Sequence, residues 1–392
     1  MEKLELLAKE AMQETDNGEP GPNGAAPLDL SQWTLERFAG EPEETRFLVD
    51  QFIPLGIAGT FYSAGGTGKS TLALDLSVRI AVADAIPSKW LDKFDVLTGG
   101  KVLYFSAEEP ENVLHRRIRS ICDAIAAETE THIDTLWPLC VKNLFVVNLW
   151  GSAKQLFEVK TNSLEPSGDY WQIYNTLRGG DFKLCVFDTR SRLSGAEGSG
   201  NALVSREVSF YEKLAADFGC TVLILHHTNK ISYSGDGNAA AAQRGESSFL
   251  DCLRFGIHLQ TISEDCAANN GIPLENRFKY LTVTQSKSNY TTIQEAIILE
   301  REGWHYSLTD LKTKTTRDER KAKQEQADID AAVEVVQSRP MITQADLIKA
   351  FSGKLSFHRA RAALVNAVEA GAVIETGGGC GKKKQYDTPP KG

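Results

Sequence analysis

Ser63-Ala64-Gly65-Gly66-Thr67-Gly68-Lys69-Ser70 is the stretch that decides the fold. It follows the apolar run Ile57-Ala58-Gly59-Thr60-Phe61-Tyr62 and leads into Thr71-Leu72-Ala73-Leu74-Asp75-Leu76, so a buried strand turns through glycines into a helix. A phosphate-binding loop requires that setting, because backbone N–H groups at a helix N-terminus then face an anion. Gly65, Gly66, Thr67, Gly68, Lys69, Ser70 and Thr71 form the expected nucleotide-binding set. The glycines let the backbone approach a polyphosphate, Lys69 reaches the β- and γ-phosphates, and the Ser70 hydroxyl binds Mg²⁺. The expected ligands are ATP and Mg²⁺. The usual motif opens with Gly; this one opens with Ser63.

Outward from the loop, short apolar runs alternate with longer helix-like segments. The pattern predicts an α/β domain with a mainly parallel sheet. Strands are expected at 57–63, 101–106, 144–148, 184–188, 221–226 and 255–259, and a last antiparallel pair at 280–284 and 292–299, with polar residues 285–291 between. Residues 151–181 carry no motif that can be placed.

Several of these strands end in groups suited to triphosphate chemistry. Residues 101–106 lead into Ala107-Glu108-Glu109-Pro110. A carboxylate there can polarise the water that attacks a γ-phosphate, with Glu108 the first choice and Glu109 the second. The same acids also suit the start of a helix at Pro110. Leu184-Cys185-Val186-Phe187-Asp188-Thr189 has the Walker B form, with Asp188 orienting Mg²⁺ alongside Ser70. Arg190-Ser191-Arg192 beyond it opens an expected mobile loop that responds to nucleotide or touches nucleic acid. Strand 221–226 ends in His226-His227; adjacent strand residues point to opposite faces, so His227 is taken as a γ-phosphate sensor. Arg244 lies within the Gly- and Ala-rich segment 231–248 and Arg254 follows it, and an arginine supplied by a neighbouring subunit is one way to neutralise developing phosphate charge. Spacing alone does not lift either above a solvated surface arginine.

The 392 residues allow about two or three domains. With 42% hydrophobic and 24% charged residues the composition is that of a soluble globular protein. There is no membrane-length apolar run and no signal core, so a cytoplasmic protein without a membrane partner is expected. The seven cysteines are scattered, without a C-x-x-C pair, and read as reduced thiols rather than a disulfide framework or zinc site. A net charge of −9 excludes an overall basic nucleic-acid coat. From Gly353 onward, however, seven Lys or Arg face three acids. Residues 1–44 read as a flexible leader and 306–327 as a charged linker or solvated helix. Residues 328–388 read as three helices and a hairpin, the winged-helix pattern, with Ser356, His358, Arg359 and Arg361 on a recognition helix and Lys382, Lys383 and Lys384 on the wing. That tail would dock on DNA or on a protein.

Taken in order, S-A-G-G-T-G-K-S, F-S-A-E-E-P, V-F-D-T, L-H-H-T-N-K, Q-R-G-E-S-S and T-Q-S-K-S-N-Y resemble the RepA-type plasmid replicative helicases. These are AAA-like ATPases of the RecA and DnaB superfamily. The resemblance covers residues 45–305, and Ser63 in place of the loop glycine is shared with that family. It implies a RecA-like core, assembly as a homo-hexameric ring and ATP-driven translocation on single-stranded DNA. Carried over by position, it implies Lys69 and Ser70 for phosphate and Mg²⁺, Glu108 as base, Asp188 as the Walker B acid and His227 as sensor. It makes Arg254 the arginine finger and puts Lys287 in a motif near the subunit boundary. The tail of about 85 residues is additional to the compact family pattern. The expected function is therefore an ATP-hydrolysing DNA motor of helicase type in DNA replication; the alternative is a nucleotide-switched regulatory or scaffold ATPase.

Overall fold

The structure, a computed structural model, describes residues 28–161, 163–196, 201–228, 248–311, 316–350, 357–376 and 384–389. The described residues fall into two compact units, one ending at Arg46 and one beginning at Phe47. The described part of the first holds two short 3-10 helices, Leu30–Trp33 and Leu35–Phe38.

In the second unit a nine-stranded sheet carries the phosphate loop. Its strands are β1 (Ala58–Ser63), β2 (Lys101–Ser106), β3 (Leu144–Asn148), β4 (Phe182–Asp188), β5 (Thr221–His227), β6 (Phe255–Thr261), β7 (Tyr280–Ser288), β8 (Ile297–Glu302) and β9 (His305–Leu308). Across the sheet the order is β9-β8-β7-β6-β1-β5-β4-β2-β3. The run from β6 to β3 is parallel, and β7, β8 and β9 are antiparallel additions beside β6. Strands buried on both faces read as continuous apolar runs, which is why the parallel strands stand out in the sequence.

Helices cover both faces. Helix α1 (Lys69–Val82) is apolar on nearly every side and almost wholly buried, as a helix pressed between a sheet and two further helices must be. Those helices are α2 (Glu111–Glu128), entered through Pro110, and α3 (Ile133–Asn143). One core, including Phe61, Leu72, Val186 and Leu223, lies on this side. Buried Arg79 of α1 ties the layer together, bonding Asp75 and, in a fork at 3.0 and 2.7 Å, Glu128 of α2. On the other face a second core packs beneath α4 (Gly168–Arg178) and α6 (Asn201–Phe218). Residues 151–181, unplaced by motif, supply a hairpin, Phe157–Lys160 with Ser163–Pro166, and α4. Phe157, Leu164, Tyr170 and Leu177 bury there, so this segment builds the second core.

The antiparallel end differs from the sequence reading. Ser286, Lys287 and Ser288 extend β7, because pairing with Gly256 and Phe255 overrides their polar character. Gln285 is buried and bonds the carbonyl of Phe52 and the N–H of Gln294. A hairpin not expected at all, β8 to β9, carries the sheet through Leu308, past the 305 boundary.

Beyond Leu311, helices α7 (Thr316–Ser338), α8 (Gln344–Ala350) and α9 (Phe357–Glu369) accompany a small sheet of Ile342–Thr343, Gln385–Asp387 and Ile374–Thr376. Thr343 caps α8 by accepting from the Asp346 N–H, as its spacing predicts. Ala332, Val336, Leu347, Leu364 and Tyr386 form a core of their own.

Candidate functional site

The parallel register aligns the carboxyl ends of the central strands: Ser63 of β1 stands opposite His227 of β5, and Asp188 of β4 opposite Ser106 of β2. Ligands of open α/β sheets bind beyond those ends. The loop rises from Ser63, with φ of +77° at Gly66 and +105° at Gly68, values that favour glycine. A Cβ on Gly68 would also lie 2.1 Å from the Tyr306 hydroxyl. Helix α1 begins at Lys69, so its free N–H groups and the positive end of its dipole face the loop's concavity.

Lys69 is buried and folded back on the loop. Its Nζ donates to Ser63 O at 3.1 Å, Ser63 Oγ at 2.9 Å and Ala64 O at 3.2 Å, and meets His227 Nδ1 at 3.1 Å. Burial pulls its pKa down to about 8 against the opposing pull of Asp188 and Glu108. Ser63 thus supplies an acceptor that the usual glycine lacks. His227 in turn reaches Glu108, with Nε2 3.2 Å from Oε1. An ammonium only donates and a carboxylate only accepts, so the ring satisfies both with its proton on Nε2 and its lone pair on Nδ1. The hydrogen bond from His227 holds the Glu108 carboxyl below its ordinary pKa.

Asp188 is buried between two hydroxyls: Ser70 Oγ donates to Oδ1 at 3.1 Å and Tyr104 Oη to Oδ2 at 2.7 Å. Burial pushes its pKa up to about 6 in spite of those bonds. A hydroxyl and a carboxylate beside a phosphate loop are the hard oxygen donors that Mg²⁺ takes, with water and phosphate completing its shell. The donor set therefore fits the cation.

Geometry separates the paired residues that the sequence left side by side. Glu108 faces His227, whereas Glu109 accepts from Arg117 Nη2 at 2.9 Å. His227 lines the site, while His226 points to the other face against Phe249, its ring 5.3 Å away. Tyr104, Arg117, Arg301, Trp304 and Tyr306 carried no motif and went unmarked. Arg117, Arg301 and Trp304 wall a cleft of about 150 Å³ together with residues 66–71, Glu108, Glu109 and His227. The one signal for Tyr104 was a phenol inside an otherwise apolar strand. A larger cavity of about 220 Å³ lies among Leu103, Phe105, Ile173 and Phe187, but no loop residue lines it. Convergence of polar groups marks the site better than size does.

Arg254 does not join this cluster. Phe255 pairs with Gly59, so Arg254 stands level with Ala58. Ser63 is five residues further along, about 16 Å at 3.3 Å per residue. The Arg254 side chain is 51% exposed and lies 3.4 Å from Glu212. Lys287 holds the preceding backbone by donating to Leu250 O and Asp251 O at 3.2 and 2.6 Å.

The expected loop after Asp188 begins instead as helix α5 (Arg190–Leu193). Arg190 is buried, bonded to Glu207 of α6 at 2.7 Å and stacked 4.0 Å from the Phe249 ring centroid, so it meets neither nucleotide nor nucleic acid. Arg359 is engaged by Asp328 and Lys384 by Glu375. Arg244, Ser356, Lys382 and Lys383 lie outside the described residues, as does the His358 side chain. No helix among the described residues is long and apolar enough to cross a membrane.

A glycine-rich loop between a parallel strand and a helix, its lysine and hydroxyl facing a strand-end aspartate, defines a P-loop nucleoside triphosphatase with an α/β core built on a mainly parallel sheet. The chain belongs to the AAA domain family, which matches residues 24–232, more than half of its length. It is therefore an AAA-type ATPase. It is also similar to the solved ATPase domain of G40P, with a TM-score of 0.45 and 12% identity over 73% of this chain and 100% of that one.

Proposed function

We propose that this protein is an ATP-hydrolysing, ring-forming DNA motor of replicative helicase type that moves on single-stranded DNA. The observation that supports this reading most is the division of the site. Lys69, Ser70, Glu108, Asp188 and His227 meet at one end of the sheet, while Arg254 lies about 16 Å along it, too far to reach its own loop. Hydrolysis that uses Arg254 then needs a second copy to bring it, which is how a ring couples neighbours.

In this reading, residues 65–71 hold the triphosphate, and Lys69 exchanges loop oxygens for the β- and γ-phosphates. Ser70 and Asp188 hold Mg²⁺, which screens phosphate charge when bound. Glu108 accepts the proton of the attacking water. His227 couples the two: once Lys69 leaves Nδ1, the imidazole is free to turn toward the γ-phosphate and release Glu108. Arg254 of a neighbour neutralises charge developing on the transferred phosphoryl group.

The division into a motor, carried past residue 305 to Leu308 by β9, a linker that ends at 327 and a winged-helix-like domain at 328–388 belongs to the same proposal. The separate core and three-stranded sheet of the last segment support it. Arg361, exposed on α9, is its described candidate for a DNA or protein contact.

The test is ATP turnover with and without single-stranded DNA, unwinding of a forked duplex, and particle mass with a non-hydrolysable ATP analogue. A ring, DNA-stimulated turnover and strand separation are expected. A monomer under every condition would overturn the shared site. Stimulated turnover without unwinding would favour the regulatory or scaffold ATPase.

A further inference from the structure

The β8–β9 hairpin places an aromatic ring in the wall of the phosphate cleft. Glu302 pairs with His305, Gly303 turns the chain at φ +61°, and Trp304 stands at the tip. The tip packs against α2, where Arg117 Cζ lies 4.5 Å from the Trp304 ring centroid; Arg301 Cζ lies 5.3 Å from it. Arg117 is buried, anchored to Glu109 through Nη2, and its Nε has no hydrogen-bond partner among the described residues. Two residues on, Tyr306 approaches Gly68 so closely that a Cβ there would strike its hydroxyl. The hairpin is therefore seated on the phosphate loop, and its Trp is only half-buried, leaving part of the indole facing the cleft.

We propose that Trp304, backed by the Arg117 guanidinium, is the platform on which the nucleobase of the bound triphosphate stacks. The inference rests on reading residues 65–71 as the triphosphate site. Glu108 and His227 take the γ-phosphate end of the cleft in the proposed function, and the wall that remains for the base is Arg117 with the β8–β9 hairpin. Glu108 and Glu109 offer no flat apolar face. The indole and guanidinium planes offer one, and a stacked base gains both ring overlap and cation–π attraction. Packing of Arg117 on Trp304 could merely tie α2 to the hairpin, but that role does not require either residue to line the cleft beside the loop. A platform that reads a base by its face is tolerant of base identity, because every base has a π face. The substrate class is thus nucleoside triphosphates without strong choice of base, adenine and guanine alike.

The experiment measures binding of ATP, GTP and inorganic tripolyphosphate to the full chain by calorimetry with Mg²⁺, for the wild type, Trp304→Leu, Trp304→Phe and Lys69→Ala. Trp304→Leu should weaken ATP and GTP about tenfold or more while leaving tripolyphosphate within about twofold. Trp304→Phe, which keeps an aromatic face, should retain most of the affinity and controls for folding of the hairpin. GTP should bind the wild type within about tenfold of ATP. Equal losses for ATP and tripolyphosphate, an unchanged ATP affinity in Trp304→Leu, or GTP more than about a hundredfold weaker than ATP would each overturn the platform. Failure of the underlying reading looks different: Lys69→Ala would then leave all three ligands bound as in the wild type.

Discussion

Replacing Tyr104 with Phe probes whether Asp188 serves as a metal-holding carboxylate. The phenol donates to Asp188 Oδ2 at 2.7 Å, and both residues are buried. Burial raises the Asp188 pKa from 3.8 to about 6, and the Tyr104 bond works against that rise. A hydrogen bond to an ionised group contributes about 1.5–3 kcal/mol, and about 1.4 kcal/mol corresponds to one pH unit. The substitution removes stabilisation from the ionised form alone, so Asp188 should ionise about one to two pH units higher. At pH 7 about nine-tenths of Asp188 is ionised in the native protein; about half to a tenth would be in the variant. Because proton and cation compete for one carboxylate, the assay is the Mg²⁺ dependence of ATP hydrolysis between pH 5.5 and 9. The acid limb should move up by about one to two pH units, and the Mg²⁺ requirement at pH 7 should rise about two- to tenfold. Both should recover at pH 9. An acid limb that stays in place refutes the reasoning, and so does a loss that pH 9 leaves unrestored. Stability follows the same sign. The folded-state pKa is raised, so this group costs the fold nothing below about pH 4 and about 3 kcal/mol once the pH has risen through 6.

Three further outcomes follow from the geometry. Lys69→Ala should abolish hydrolysis, while Arg254→Ala should keep ATP binding and lose about a thousandfold or more in turnover. Mixing the two variants should restore part of the activity if, as proposed, one copy supplies the loop and its neighbour the arginine; mixtures as inert as the parents would count against the shared site. Glu207→Gln leaves Arg190 buried beside a neutral partner and should cost about 3–5 kcal/mol in urea denaturation, whereas Arg190→Met with Glu207→Leu should cost far less. A cost below about 1 kcal/mol for the single variant would show that the pair is not held as the structure has it.

Much of the parallel sheet was legible because its strands are buried on both faces and end at turn or acid signals. Strands 101–106 and 144–148 coincide with β2 and β3 to the residue. Elements whose burial depends on a partner were harder to see. The polar residues Ser286 to Ser288 have no strand pattern of their own, and β9 is too short to show one. Arg190 misled for a related reason: an arginine after a strand reads as exposed until Glu207, 17 residues on, is found on the buried face of α6.

By itself the sequence determined a phosphate loop between strand and helix, because glycine spacing and apolar runs are local properties that need no distant contact. It also marked Glu108, Asp188 and His227 as strand-end groups of the right chemistry. Only the tertiary structure decided which of each adjacent pair faces the loop, since that depends on register and pleat. Only packing of the β8–β9 hairpin on α1 and α2 could bring Arg301, Trp304 and Tyr306 to residues some 230 positions away in the chain. The parallel pairing of β6 with β1 likewise set Arg254 at the far end from its own loop. Strand direction, a property of the assembled sheet, is what keeps Arg254 away from the phosphate loop of its own chain.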